Sequence, residues 1–129
     1  MNRGLFLAHQ LSMRVSELWR YPIKSLKGEP IQEAHITPEG IPGDRGIVVV
    51  RRLNGRFLTS RIKPKLLGLE GRLGADGTPT INGVPWDSPE ALRLVIEAAG
   101  EAVTLERVPP PQAFDVLPLL VATDGAAEY

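Results

Sequence analysis

Glycine and proline interrupt this chain so often that it has no room for long regular elements. The 129 residues include 13 glycines and 12 prolines, well above the combined share of about 12% in an average protein. Glycine supplies the backbone conformations that turns need, and proline stops helices and central strands. The pattern predicts a mainly β fold: a small β-barrel or barrel-like antiparallel sheet with one packed α-helix.

The predicted strands lie between these breaks. Five runs either alternate apolar with polar residues or are rich in β-branched and aromatic residues: 12–21, 31–37, 47–50, 56–59 and 102–108. The run Ile47–Val50 is entirely β-branched and is the strongest strand prediction. Asn54-Gly55 follows it, which is typical of a two-residue hairpin, so 56–59 should return antiparallel to Ile47–Val50.

The middle of the chain is less regular. Residues 66–73 fit either a strand or a helical turn. Asp76-Gly77 and Asn82-Gly83 predict tight turns on either side of a short strand at Thr80-Ile81.

One helix is predicted after Ser88. Ser88 is a favoured N-cap residue and Pro89 suits the first helical position. An apolar stripe at helical spacing follows, and Gly100 ends it. The stripe consists of Leu92, Val95, Ile96 and Ala99.

The composition changes after the stiff Pro109–Pro111 connector. Residues 114–122 are mostly apolar, and 123–129 resemble the start of a helix that the chain is too short to complete. We therefore expect a flexible lead-in over 1–13 and one domain over 14–111. Residues 112–129 would be the start of a second, truncated domain or a docking tail.

Charge and residue content exclude several functions. Lysine plus arginine and aspartate plus glutamate both number 15, and aromatic residues are 5%, which argues against binding nucleic acid or an anionic membrane. The chain has no cysteine, and its two histidines are far apart in sequence, so neither a catalytic residue nor a metal site is predicted. No apolar run is long enough to span a bilayer. A cytoplasmic location is expected.

Three polar clusters remain, each beside a predicted strand end: 21–28, 43–45 and 57–61. Lysine offers a point charge, arginine a planar fork and a hydroxyl a neutral donor, a mixture that suits a phosphate group. The residues concerned are Lys24, Ser25, Lys27, Arg45, Thr59 and Arg61. The alternative is that these are ordinary solvated loop charges, with Asp44 pairing with Arg45.

The same clusters carry a family resemblance. Tyr21–Gly28 is similar to the Y-P-V-K-S-x-x-G signature of MOSC proteins, the molybdenum cofactor sulfurase C-terminal family. Gly40–Arg45 resembles their G-L-x-G-D-R signature, and Arg56–Pro64 resembles G-R-F-L-T-x-R-x-x-P. The order is the same, and weaker similarity continues to Arg107. The resemblance identifies 14–111 with the N-terminal β-barrel domain of the family and 112–129 with the start of its catalytic domain.

This resemblance implies a cofactor-binding role. Lys24, Ser25 and Arg45 match residues that hold the phosphate and pterin part of the molybdenum cofactor (molybdopterin), with Thr59 and Arg61 beside them. Full-length members are molybdenum-cofactor oxidoreductases or sulfurases, some of them sulfur carriers, and bind the metal through a cysteine of the following domain. Without that domain, this chain is expected to have no complete catalytic centre, and the isolated chain is not expected to retain the cofactor.

Two functions therefore remain open. The first is a cofactor-anchoring domain whose partner is the missing C-terminal MOSC catalytic domain or another protein. The second is a non-catalytic interaction module, including a homodimer formed through the apolar C-terminal tail. They differ in whether Lys24, Ser25 and Arg45 lie in one pocket or on separate faces.

Overall fold

The computed structural model describes residues 14–110 and residue 113. Its seven strands are β1 (Leu18–Arg20), β2 (Glu29–Ile31), β3 (Ile47–Arg51), β4 (Gly71–Leu73), β5 (Pro79–Ile81), β6 (Val84–Pro85) and β7 (Val103–Arg107). A 3₁₀ helix spans Pro64–Gly68, and the helix α1 spans Pro89–Ala99. Within this part of the chain α1 is the one α-helix, so the predicted mainly β fold with a single packed helix is confirmed.

The strands form three small antiparallel sheets. These are β1-β2, β3-β7 and β4-β5-β6. The segment between β1 and β2 connects two of them through parallel bridges, Ile23 with Ile47 of β3 and Lys27 with Glu70 beside β4. Over the described residues the strands do not close into a continuous barrel. Single bridges, rather than ladders of several residue pairs, connect the small sheets, because glycine and proline keep the strands short.

Strand β3 is buried on both faces. Ile47 and Val49 belong to the main core, together with Ile23, Leu26, Leu58, Leu66, Ile81, Val95 and Val103. Val48 and Val50 point to the opposite side and form a second cluster with Ala113, flanked by Phe57 and Val108. A strand buried on both faces needs apolar residues at every position, which explains the uninterrupted run in β3.

The predicted helix is confirmed. The Ser88 hydroxyl accepts a hydrogen bond from the Ala91 amide at 3.1 Å and caps the helix N-terminus. Gly100 ends the helix with φ of 70°, the left-handed conformation typical of a glycine there. The buried face consists of Ala91, Val95 and Ala99, and it packs toward β7 and the 3₁₀ helix.

Two strand predictions are corrected in position. The predicted strand 31–37 is wrong: β2 is Glu29–Ile31 and residues 32–36 are irregular. Pro30 lies inside β2 and pairs with Trp19, in a two-stranded sheet where an amide donor is not required at every position. The predicted strand 12–21 is shorter in the structure, because 14–17 are irregular before β1.

The hairpin and the uncertain middle segment are now defined. Phe57 returns antiparallel to Val50 through one bridge, with Gly55 at φ of 72° in the turn. The loop is longer than the predicted two residues, because the Arg51 amide donates to the Arg56 carbonyl and 52–55 form the connection. The longer ladder of β3 is with β7. Residues 66–73 contain both predicted alternatives, since the end of the 3₁₀ helix and β4 are separated by only two residues.

The chain ends lie mostly outside the described residues. The predicted lead-in 1–13 and the apolar tail 114–129 belong there, and the boundary at Pro111 stays a prediction. Ala113 is described, and it is 1% exposed against the second face of β3. No helix in residues 14–110 is long and apolar enough to cross a membrane.

Candidate anion-binding site

The polar clusters from the three loops line one cavity of about 250 Å³. Its walls are Tyr21, Lys24, Ser25, Arg45, Thr59, Ser60 and Arg61. All five residues that the resemblance nominated are among them. Lys27, from the same first cluster, does not line the cavity; its backbone pairs with that of Glu70 instead.

The position of β3 explains this convergence. Arg45 lies two residues before the first residue of β3. The Lys24 amide donates to the Ile47 carbonyl at 2.8 Å, which places the first loop at the same end of the strand. The Leu58 amide donates to the Val49 carbonyl at 2.8 Å. Because that segment runs antiparallel to β3, its next residue, Thr59, also approaches the start of the strand.

Asp44 connects two of these loops. One of its carboxylate oxygens, Oδ1, accepts from the Tyr21 amide at 2.8 Å. The other, Oδ2, accepts from Arg45 Nε at 2.8 Å. The predicted pairing of Asp44 with Arg45 therefore occurs, and it fixes the Arg45 guanidinium beside the cavity, although Asp44 itself is not one of the lining residues.

Two residues of the cavity have unusual backbone conformations. Ser25 has φ of 81° and Arg45 has φ of 51°, in the region that normally favours glycine. Holding a non-glycine residue in a sparsely populated backbone region costs about 1–3 kcal/mol, and such residues concentrate at binding and catalytic sites. Both strained residues are ones that the resemblance nominated.

Residues that the sequence analysis did not nominate complete the wall. Tyr21 and Ser60 line the cavity, and both lie inside the quoted signatures. Ser60 could have been predicted from the hairpin, because the segment that returns along β3 brings Thr59 and the residue after it toward the start of that strand. Phe57 contributes indirectly, since Lys24 Nζ lies 5.7 Å from the centre of its ring.

The charge of the cavity is positive. Lys24, Arg45 and Arg61 bring three cations, and the neighbouring Asp44 is paired with Arg45. Four other lining residues carry hydroxyl groups: Tyr21, Ser25, Thr59 and Ser60. Such a site can bind an anion through charge-assisted hydrogen bonds. Residues 14–110 hold no cluster of three or more histidines or carboxylates that could bind a metal ion.

Comparison with known proteins identifies the family. The sequence model of the MOSC N-terminal beta barrel domain matches residues 12–103. The chain belongs to this MOSC N-terminal domain family. The match covers β1 through the start of β7, and so it contains every loop that lines the cavity.

The similar curated proteins are longer. They are "Mitochondrial amidoxime reducing component 2" of Macaca fascicularis and of Homo sapiens, and "Mitochondrial amidoxime-reducing component 1" of Homo sapiens. Each is 39% identical over 57 residues, which is 41% of this chain and 17% of the relative. The aligned part of this MOSC N-terminal domain thus spans less than a fifth of the length of these relatives.

Proposed function

We propose that this MOSC N-terminal domain anchors the phosphate end of the pterin part of a molybdenum cofactor. The observation that supports this is the meeting of Lys24, Ser25 and Arg45, from two separate loops, with Thr59 and Arg61 from a third, in one cavity. The interaction-module alternative required these residues to lie on separate faces. The shared cavity therefore favours the anchoring role.

The cavity fits part of the cofactor. At about 250 Å³ it is smaller than the roughly 300–1,000 Å³ of pockets that enclose a whole ligand. It has room for a phosphate and the atoms next to it, so the pterin would extend outside. Three cations and four hydroxyls suit the oxygens of a phosphate, with Arg45 and Arg61 offering paired donors and Lys24 a point charge.

The chemistry of the cofactor would take place elsewhere. When bound, the cofactor supplies redox or sulfur-transfer chemistry, whereas the residues of this domain bind and orient its phosphate. We propose that the partner is a C-terminal MOSC catalytic domain or another protein that completes the site. The names of the relatives describe reduction of amidoximes, so a part in such a reductase is included in this proposal.

The proposal is tested by amide chemical-shift titration with inorganic phosphate. In this proposal the partner contributes further contacts to the cofactor, so the dissociation constant of this domain for phosphate should be on the order of millimolar, which corresponds to about 4 kcal/mol. Shifts should concentrate at 21–28, 44–46 and 59–61, and Arg45→Ala should abolish them. Arg93→Ala removes an exposed charge from α1 and is the matched control. Shifts spread over every basic residue, or equal loss in both variants, would overturn the proposal.

A further inference from the structure

We propose that Phe57 is a positioning residue for the anion site, holding the Lys24 ammonium at the cavity. This inference rests on the proposed function. Phe57 does not line the cavity, so any effect that it has on an anion must act through another side chain. Its ring is half-buried and belongs to the margin of the second apolar cluster.

The contact with Lys24 supplies the mechanism. Lys24 Nζ lies 5.7 Å from the centre of the Phe57 ring, within the roughly 6 Å over which the electron-rich ring face attracts a cation. A lysine side chain has four flexible bonds and loses much rotational freedom when it is fixed on a ligand. A ring that already holds the ammonium beside the cavity reduces that loss.

The ring is itself fixed by β3. Phe57 bridges Val50, and the following amide of Leu58 bonds to the Val49 carbonyl. The Phe57 side chain packs on the cluster of Val48, Val50 and Ala113. The position of Lys24 is thereby connected to the second face of β3, which Ala113 helps to cover.

A double-mutant cycle tests this inference, with inorganic phosphate as the probe. Phe57→Leu should weaken phosphate binding about two- to fivefold, the size of an exposed cation–π contact. Phe57→Tyr keeps the aromatic ring and should bind within twofold of the unmodified domain. In the Lys24→Ala background, Phe57→Leu should have no further effect, because the ring acts only through that lysine.

A second measurement is independent of the anion. The ring current of Phe57 should shift the ε-methylene protons of Lys24 upfield, and Phe57→Leu and Phe57→Met should both remove the shift. Equal weakening by Phe57→Leu with and without Lys24, or no upfield shift in the unmodified domain, would overturn the positioning role. A clear upfield shift in a domain that binds no phosphate would support the contact and overturn the proposed function instead.

Discussion

The backbone amide of Arg45 donates to the carbonyl oxygen of Tyr21. This bond joins the loop that precedes β3 to the loop that follows β1. A second bond joins the same two loops, because the Asp44 carboxylate accepts a hydrogen bond from the Tyr21 amide. Two of the three loops around the cavity are therefore held together before any anion arrives. A site fixed in this way loses little further freedom on binding.

Asp44 should be necessary for both stability and phosphate binding. Asp44→Ala leaves the Tyr21 amide without this acceptor and Arg45 without this carboxylate, so the free energy of unfolding should fall by about 1–3 kcal/mol. Phosphate binding should weaken as well. Asp44→Asn retains an acceptor for the amide and should lose less stability. Urea denaturation measures the first effect and phosphate titration the second; a fully stable Asp44→Ala would contradict this account of the loop junction.

The buried carboxylate of Glu29 joins two sheets. Its Oε2 accepts from Arg20 Nε and from the Leu73 amide, both at 3.0 Å. Glu29→Ala leaves these donors without that acceptor and should lower the free energy of unfolding by about 1–3 kcal/mol. Glu33→Ala, at an exposed and irregular position, is the control and should be neutral. Equal urea midpoints for the two variants would show that Glu29 does not join the sheets.

The Tyr21 ring packs so closely against Gly28 that no larger residue fits at this position. A Cβ atom at Gly28 would lie 2.6 Å from Tyr21 Cδ2 and 2.7 Å from the Arg20 carbonyl oxygen. Gly28→Ala should therefore displace Tyr21 and cost about 1–3 kcal/mol, the usual penalty of overpacking. Gly68→Ala meets nothing within 4 Å and serves as the matched control. Thermal unfolding should separate the two variants, and similar melting temperatures would count against the close packing.

The ion pair of Glu101 should contribute to the dependence of stability on pH. Glu101 accepts from Arg51 Nε at 2.8 Å and from its Nη2 at 3.0 Å, and these hydrogen bonds lower the pKa of the carboxyl. A lowered carboxyl pKa stabilises the fold above the unfolded-state value of about 4.3, and the contribution disappears as the pH falls through the lower folded-state pKa.

Glu101→Gln removes that titration. The difference in free energy of unfolding between the unmodified domain and this variant should be largest at pH 7 and should vanish at strongly acidic pH. Glu97→Gln, on an exposed position of α1, should follow the unmodified domain at every pH. Urea midpoints measured from pH 7 to pH 2.5 make the comparison. A difference that stays constant with pH would mean that the ion pair is not the cause.

The sequence predicted the parts of the fold that depend on local chemistry. The Ser88 cap and the glycine end of α1 are each determined by a few neighbouring residues, and each is found in the structure. A turn is also found at Asn54-Gly55, but its loop has four residues rather than the predicted two. The ladder of β3 with β7 joins residues about 55 positions apart, and no local pattern indicates it. The predicted strand 31–37 misses the place of β2, whose Pro30 pairs with Trp19 although proline has no amide to donate.

For the candidate site, too, the sequence predicted the residue types but not the contacts between them. The quoted signatures nominated Lys24, Ser25 and Arg45, whereas their meeting at the start of β3 depends on backbone bonds to Ile47 and Val49. The contact of Phe57 with Lys24 also requires the three-dimensional arrangement. Residue types alone suggested an anion as the ligand, and only the tertiary structure shows that the donors lie together.

The claim that three loops form one anion site is tested most directly by comparing single charge removals. Lys24→Ala, Arg45→Ala and Arg61→Ala each remove one cation from the cavity, whereas Lys65→Ala and Arg93→Ala remove one from elsewhere on the surface. The measured quantity is the dissociation constant for inorganic phosphate at low ionic strength, where screening is weak. The account predicts that each of the three cavity variants weakens binding at least threefold and that the two surface variants remain within the error of the unmodified domain. An equal loss in all five variants would contradict the account, because binding would then follow net charge rather than the cavity.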